Sequence, residues 1–306
     1  MARRKHSAWH YAKSITAQVW RHPSNRGRRI RALAGAVAWQ ARKRLSASPR
    51  DVPFFGWKLR CYPDSNSASN VIYFTERYDP DELGFLAAFL RPGDGFVDVG
   101  ANIGTYSLLA ARLVGASGRI DAFEPDPVAA GRLRENLDIN RIESVTVHEL
   151  AIAEREGCVD FLVGQDVSNR IRTAVDEGRP SRLVAVRRLD EVLAGRSCVM
   201  AKLDVEGRET AALRGAPERL RRADPPVWQL EVIDHLLDKA GSSRGELLGL
   251  LTAAGFRLAR FRAEDCALQL VGLGAAGENV WAIHETALAM VQSRIAERRV
   301  AREASG

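Results

Sequence analysis

Apolar and polar residues alternate along the chain in blocks that fit strands and helices in turn. The clearest block covers residues 95–126, with an apolar strand at 96–99, a helix at 105–114 and a second apolar strand at 120–123. A single helix separates the two strands, so we expect a parallel pair with a right-handed crossover.

Other blocks are shorter or less regular. Strands are predicted at 54–59 and 71–74, on either side of a polar loop at 63–70. Residues 272–277 match G-x-G-x-x-G, but a strand follows them, so a hairpin loop between the last two strands is predicted. Residues 28–45 predict an amphipathic helix. Its apolar face consists of Ile30, Leu33, Ala34, Val37, Ala38, Ala41 and Leu45.

Charge is distributed unevenly. The chain has 45 Lys and Arg against 38 Asp and Glu, yet residues 1–50 hold 13 basic residues and no acidic one. The net charge of +7 therefore belongs to this segment, which weakens a nucleic-acid-binding role for the body. The basic helix predicts either adsorption to an anionic membrane surface or a helix that packs on the body or stays solvated.

Composition excludes several classes of protein. No apolar run approaches the roughly 20 residues of a membrane span, and the N-terminus lacks the apolar core of a secretory signal. It is Arg-rich and acid-free, as organelle transit peptides also are. The four cysteines form no C-x-x-C pair, so free thiols in a reducing compartment are expected and no metal site is predicted.

The turn between the two clear strands carries candidate chemistry. Gly100 and Gly104 would let the backbone approach a ligand closely. Glu124, 20 residues after Gly104 at the tip of the second strand, is placed to bind ribose hydroxyls. The G-x-x-x-G spacing favours an adenosine-containing ligand whose amino-acid end lies over the turn. The alternative is an ordinary turn with an incidental acid, although Asp98 inside an apolar strand needs a partner.

Several motifs together resemble the FkbM-type family of class I methyltransferases, which use S-adenosylmethionine. The resemblance runs from about Phe55 to Ile283 and implies a Rossmann-like α/β fold. Its sheet would have seven mostly parallel strands, helices on both faces and one antiparallel strand near an edge. The matching motifs are VDVGANIGTYSLLAA (97–111), GRIDAFEPDP (118–127), LRENL (133–137), AKLDVEG (201–207), LRGA (213–216) and VWQLE (227–231).

The predicted organisation has three parts. Residues 1–50 form the basic helical arm, and residues 51–284 form the methyltransferase domain. Within that domain, residues 51–92 are a small β/helical element ahead of the Rossmann-like core at 93–284. Residues 285–306 are a C-terminal helix or tail.

The resemblance also implies roles for particular residues. The methionine end of the cofactor would be held by Asp98, Gly100, Asn102 and Gly104, with Asp98 near the ammonium group. Glu124, with Pro125 beside it, would bind the ribose. The adenine would be flanked by Glu149, Leu150 and Ala151, which would end the family's third strand at 145–151. Asp204 and Glu206 would face the transferred methyl group and the acceptor.

A hydroxyl acceptor must lose its proton as it attacks, so a nearby base is expected. Glu206 is the first choice because it precedes a glycine at a strand end, where side chains reach the cleft. The other candidates are Asp204, Glu231, His235 and His148. Alternatively, Asp204 and Glu206 only cap the following helix. Arg208 departs from the family pattern, which commonly has a small residue there.

The expected function is S-adenosylmethionine-dependent O-methylation of a small molecule or a glycan hydroxyl, in the cytoplasm or at the periphery of a membrane. A non-catalytic cofactor-binding scaffold of the same fold is one alternative. A nucleic-acid methyltransferase is another, and it is weakened because no aromatic and basic groove is evident. Residues 224–228 resemble the D-P-P-Y signature of such enzymes, but here the prolines are predicted to start a strand. The oligomeric state is not predicted.

Overall fold

The computed structural model describes residues 14–74, 78–162, 178 and 180–303. The chain divides into two compact units, residues 1–80 and residues 81–306. This boundary differs from the predicted one: residues 51–80, which we assigned to the methyltransferase domain, group with the first fifty residues. None of the described helices is long and apolar enough to cross a bilayer.

The described residues of the first unit form three α-helices and one hairpin. Helix α2 packs against α3, and the Trp39 indole N–H donates to the Ser69 hydroxyl at 3.0 Å. The buried Asn25 amide donates to the carbonyls of Val19 (2.9 Å) and Tyr73 (3.1 Å), which ties α1 and the following turn to α3. The elements are α1 (residues 14–21), α2 (Arg29–Leu45), β1 (Arg50–Phe54), β2 (Trp57–Cys61) and α3 (Asn66–Phe74).

The strand predicted at 71–74 is wrong, because these residues end helix α3. The loop predicted at 63–70 is wrong as well, because helix α3 already begins at Asn66. The Ser65 hydroxyl caps this helix by accepting a hydrogen bond from the Ala68 amide at 3.2 Å. Val71 and Tyr73 are buried on the helix. Capping and packing therefore outweigh the strand preference of the sequence VIYF.

The strand predicted at 54–59 is also wrong, because a hairpin turn interrupts it. Phe55 and Gly56 both have positive φ, at 47° and 80°. A two-residue turn of this kind joins antiparallel strands, and β1 pairs with β2 on either side of it.

The second unit contains the predicted α/β sheet. Its strand order is β12-β11-β13-β10-β9-β3-β4-β5; the five strands from β10 to β5 are parallel, and β13 is antiparallel to both of its neighbours. Edge strand β12 makes the sheet one strand wider than the predicted seven. The strands are β3 (Gly95–Val99), β4 (Arg119–Phe123), β5 (Val145–His148), β9 (Met200–Leu203), β10 (Val227–Glu231), β11 (Phe256–Arg262), β12 (Ala267–Val271) and β13 (Asn279–His284).

Helices flank this sheet, and a small three-stranded sheet of order β6-β8-β7 accompanies it. The small strands are β6 (Ala151–Ile152), β7 (Gly157–Leu162) and β8 (Ser181–Arg187). The helices are α4 (Pro80–Phe89), α5 (Thr105–Val114), α6 (Pro127–Asp138), α7 (Leu189–Val192), α8 (Glu209–Arg214), α9 (Pro217–Leu220), α10 (Asp234–Lys239), α11 (Arg244–Ala253) and α12 (Leu288–Glu303).

Two loop predictions are tested by these bounds. Residues 272–277 do join the last two strands, β12 and β13, but they are not a hairpin because β11 lies between those strands. The two prolines of residues 224–228 directly precede β10, as predicted.

Parallel strands β3, β4, β9 and β10 are buried along most of their length, whereas edge strand β5 is only partly buried. In β3, residues 96–99 are all buried, and every residue of β9 is buried. Strands covered on both faces read as continuous apolar runs, which the sequence shows here. The carboxyl ends of β3, β4, β9 and β10 lie at one edge of the sheet, where open α/β sheets bind ligands.

Candidate cofactor and acceptor site

Asp98 is a fully buried carboxylate inside β3. Its Oδ2 accepts a hydrogen bond from the Ser107 hydroxyl of α5 at 2.7 Å. Its Oδ1 has no hydrogen-bond partner among the residues that the structure describes, although the Lys202 ammonium lies 3.8 Å away. Burial raises the pKa of Asp98, while Lys202 and Ser107 oppose that rise. The free lone pairs of Oδ1 are suited to a charged donor such as an ammonium group.

Glu124 follows β4 and is held by two backbone amides. Its Oε2 accepts from Asn102 of the glycine turn and its Oε1 accepts from Asp126, each at 2.9 Å. Burial raises the pKa of Glu124 to about 7. The side chain therefore joins the turn after β3 to the turn after β4. Each carboxylate oxygen keeps a lone pair for a hydroxyl donor.

The glycine turn has a tightly determined shape. Gly100 and Gly104 have φ of +83° and +91°, and Asn102 lies in the left-handed region at +49°. The Asn136 amide of α6 donates to the Ile103 carbonyl at 3.0 Å and so fixes the turn from outside. Positive φ at a non-glycine residue is uncommon and concentrates at functional sites.

The two predicted halves of the site meet at Gly100. A Cβ at this position would collide with the Asp204 carbonyl oxygen, and the Asp204 amide donates to the Val99 carbonyl at 3.1 Å. Glycine is thus required because the turn after β3 lies against the end of β9. The sequence suggested close approach of a ligand, whereas the closest neighbour here is the chain itself.

Lys202 connects the two halves through its side chain, and the sequence analysis gave it no role. This fully buried residue of β9 donates to Asp204 Oδ2 at 3.0 Å, and its ammonium lies 4.5 Å from the centre of the Tyr106 ring. Burial alone would lower the pKa of Lys202, but Asp204 and Asp98 together raise it. The sequence feature that could have identified Lys202 is its position as a lone charge inside an otherwise apolar strand.

The loop after β9 carries the acceptor-side residues. The buried Glu209 accepts from the backbone amides of Val205 (3.0 Å) and Gly207 (3.3 Å), and burial raises its pKa to about 7. Glu209, the first residue of α8, therefore stabilises the loop before this helix, whereas the alternative interpretation had Asp204 and Glu206 capping the helix. Glu206 itself has a φ of +54° and a partly buried side chain. A left-handed backbone at a non-glycine residue costs energy and persists only where the surrounding structure fixes it.

Glu231 ends β10 beside this loop. Burial, followed by the charges of Asp204, Glu206 and Glu209, raises the pKa of Glu231 to about 9. At neutral pH Glu231 therefore keeps a proton. Within the described residues there is no group of three or more His, Cys, Asp or Glu side chains arranged to hold a metal ion.

Some predicted residues lie apart from this cluster. His235 is exposed on the first turn of α10. His148 ends β5, with its Nε2 2.9 Å from Asp121 Oδ1 and its ring stacked on Phe123, so its contacts are structural. The predicted third strand is also shorter than expected, since β5 ends at His148.

The three residues predicted beside the adenine therefore follow the strand rather than end it. Glu149 is exposed and pairs with Arg134 at 3.0 Å, and Leu150 packs on the main core. Ala151 begins β6 of the small sheet. Their proximity to an adenine stays a prediction.

A pocket of about 430 Å³ lies beside the acceptor-side loop. Its walls come from the start of β7, helix α8 and the residues after α10, and Gly207 and Arg208 line it. The Arg208 side chain is partly buried and forms no hydrogen bond or ion pair with any residue in the described ranges, and burial lowers its pKa. By contrast, Arg214 in the same pocket is paired with Glu154 at 3.7 Å and with Glu246.

The fold and this site define a class I methyltransferase that uses S-adenosylmethionine. The orphaned Oδ1 of Asp98 fits the methionine ammonium, and Glu124 fits the ribose hydroxyls. The family model described as "Methyltransferase FkbM domain" matches residues 98–258, which is more than half of the 306 residues. The chain belongs to the FkbM methyltransferase family.

Curated relatives agree with this membership. The 31-O-demethyl-FK506 methyltransferase FkbM of Streptomyces tacrolimicus is 30% identical over 201 residues, which cover 55% of this chain and 74% of that protein. The 2-O-methyltransferase NoeI of Sinorhizobium fredii is 29% identical over 151 residues, or 43% of this chain and 61% of NoeI. A ribosomal protein L11 methyltransferase of Bacillus cytotoxicus is 37% identical over 80 residues, about a quarter of each chain.

Proposed function

We propose that this methyltransferase transfers the methyl group to a hydroxyl of a small molecule or a glycan. The observation that carries the proposal is the contact of the glycine turn with the end of β9. This contact brings Asp98 on the cofactor side and Asp204 on the acceptor side to the same buried ammonium, that of Lys202, at 3.8 and 3.0 Å. The names of two relatives, a 31-O-demethyl-FK506 methyltransferase and a 2-O-methyltransferase, support oxygen as the methylated atom.

The cofactor-side residues bind and orient. Bound S-adenosylmethionine supplies a methyl group on a sulfonium centre. Asp98 Oδ1 would accept the ammonium at its methionine end, and Glu124 would accept the ribose hydroxyls while it stays bonded to the turn. Because both carboxylates are held by fixed donors, they need little reorganisation when the ligand binds.

On the acceptor side, Glu206 would take the hydroxyl proton. Glu206 precedes Gly207 in the loop after β9, where side chains reach the cleft, so we expect it to act as the base. Nearby Glu231 retains its own proton at neutral pH. A positioned base contributes about 10²- to 10⁴-fold to the rate.

The pocket beside Glu206 would receive part of the acceptor. Among the charged residues that line it, Arg208 has no partner within the described chain, so its guanidinium is available to oxygen atoms of the acceptor. The resemblance to the FkbM family is loose between residues 157 and 189, and residues from both ends of this stretch line the pocket. We therefore expect this wall of the pocket to set which acceptor is used.

Calorimetry with S-adenosylmethionine and a methyl-transfer screen against sugars, polyketides and lipid-linked glycans test the proposal. We expect cofactor binding and a methylated oxygen on at least one acceptor. A protein that binds the cofactor but methylates none of these classes would be the scaffold of the same fold. Methylation of protein or nucleic acid in parallel reactions would replace the proposed acceptor class.

We also propose that the enzyme works in the cytoplasm, at the periphery of a membrane. All four cysteines are free thiols, which suits a reducing compartment. The excess of basic residues before residue 51 supports attraction to anionic lipid.

A further inference from the structure

Helix α2 carries two apolar faces, of which one is packed and the other is exposed. Ala32, Ala36 and Trp39 are at most 3% exposed. Their spacing of four and three residues forms one stripe, and Trp39 bonds to Ser69 of α3. This packed stripe is not the apolar face that the sequence predicted.

Five of the seven residues of the predicted face form a second stripe, here called the exposed stripe; of the other two, Leu33 is half-buried and Ala38 is exposed. The exposed stripe starts at Ile30, two residues before the packed stripe starts at Ala32. Two residues turn a helix by about 200°, so the two stripes lie on opposite sides of α2. Ile30, Val37 and Leu45 are 80%, 68% and 85% exposed. Leu45 and Ile30 are the most exposed large apolar side chains within the described residues. The exposed stripe consists of Ile30, Ala34, Val37, Ala41 and Leu45.

Packing of α2 therefore leaves the predicted apolar face uncovered. The sequence analysis allowed either a helix packed on the body or a helix at a membrane. In the structure the helix packs against α3, but it does so through the stripe that contains Trp39 and not through the predicted apolar face. Packing within the fold therefore does not account for the exposed stripe, and an uncovered apolar patch of this kind marks a contact surface.

Basic side chains border the exposed stripe. Arg29 and Arg31 flank Ile30 about 100° to either side, and both are exposed, as is Arg44 beside Leu45. Trp20 is 44% exposed, with the Arg29 guanidinium 5.3 Å from its ring centre. Apolar side chains with arginine and tryptophan at their border are typical of helices that lie in a lipid interface.

We infer that the exposed stripe of α2 lies flat in an anionic lipid surface, with its arginines at the headgroups. The inference rests on the proposed location and is independent of the proposed reaction. Residues 1–50 contain 13 basic residues and no acidic one. Two copies of this segment would repel each other, whereas an anionic bilayer supplies negative charge and an apolar layer together.

Flotation of the full-length protein with phosphatidylcholine vesicles, with and without phosphatidylglycerol, tests the inference. We expect binding to the anionic vesicles only, and weaker binding as salt is raised. The variant Ile30→Ser/Val37→Ser/Leu45→Ser should bind at least about tenfold more weakly, because each apolar side chain contributes to insertion. All three positions are exposed, so the fold should persist.

The matched control is Leu183→Ser/Leu273→Ser/Val300→Ser, which removes comparably exposed apolar side chains from the other unit. It should bind vesicles as the wild type does. Absence of wild-type binding, full binding by the stripe variant, or an equal loss in the control would overturn the inference.

Two further measurements distinguish lipid binding from self-association and from loss of the cofactor site. If light scattering finds a wild-type dimer that the stripe variant abolishes, the stripe is an interface between copies and the lipid inference is wrong. Calorimetry with S-adenosylmethionine on the stripe variant should match the wild type. A failure of the proposed reaction would leave the vesicle result unchanged.

Discussion

The two halves of the candidate site are held in different ways. On the cofactor side, Asp98 and Glu124 are buried, and each is fixed by hydrogen-bond donors from a neighbouring element. On the acceptor side, Asp204, Glu206 and Glu231 are only partly buried, and the negative charges of the first two help to keep Glu231 protonated. A rigid, pre-organised half suits one invariant ligand, whereas an open, charged half suits proton transfer and a variable acceptor.

The largest effect should come from the acceptor half. Glu206→Gln removes the proposed base but keeps its size, so kcat should fall about 10²- to 10⁴-fold with little change in affinity for S-adenosylmethionine. Steady-state kinetics and calorimetry measure the two quantities. Glu143→Gln, a carboxylate substitution away from the site, is the control. Near-normal turnover in Glu206→Gln would remove this residue from the role.

Removal of the link between the halves should destabilise the protein. Lys202→Met leaves Asp98 buried without its cation, which should lower the free energy of unfolding by about 3–5 kcal/mol in urea denaturation. Adding Asp98→Asn should restore part of that loss, because the unpaired buried carboxylate is then gone. If the double variant is the sum of the two single ones, Lys202 and Asp98 are not coupled.

On the cofactor side, Asp98→Asn should weaken S-adenosylmethionine binding by about 10- to 100-fold, the usual effect of one charge-assisted hydrogen bond. Ser107→Ala should have a smaller effect, since Oδ1 keeps its proposed role. Calorimetry measures both. Equal losses in the two variants would mean that the geometry of Asp98, and not its charge, matters.

The smallest effect should be on the pH dependence of stability. Glu231 has a raised pKa of about 9 in the folded protein, so it binds a proton more tightly there than in the unfolded chain. Its contribution is complete below its unfolded pKa, near pH 4.5, and is lost as pH rises through about 9. Glu231→Gln should flatten the dependence of the unfolding free energy on pH, measured by urea denaturation at several pH values in this range. The same pH dependence in wild type and variant would contradict the raised pKa of Glu231.

How far the sequence predicted the structure depended on the range of the interactions. The strand, glycine turn and helix at 95–114 follow from local periodicity and glycine geometry, and the structure has them within one residue. The role of Lys202 depends on β9 lying beside β3, a pairing of residues about a hundred positions apart. No local pattern shows that its ammonium reaches both Asp98 and Asp204.

Local signals also misled where packing outweighed them. The run VIYF favours a strand, but Ser65 caps a helix there and the packing against α2 keeps it. In α2 the larger apolar side chains define the predicted apolar face, yet Trp39 with two alanines forms the packed one. Small residues let helices approach closely, so volume alone does not identify the packed face.

By itself the sequence determined the family, the order of strands and helices in the core, and the carboxylates that we propose for the cofactor, because motifs and periodicity are local. Tertiary structure decided three other things: that Gly100 makes room for the chain itself, that Lys202 joins the two halves, and that the apolar face of α2 points outward. Each of these depends on which surfaces meet, and the free energy of burial and ion pairing is set by that contact.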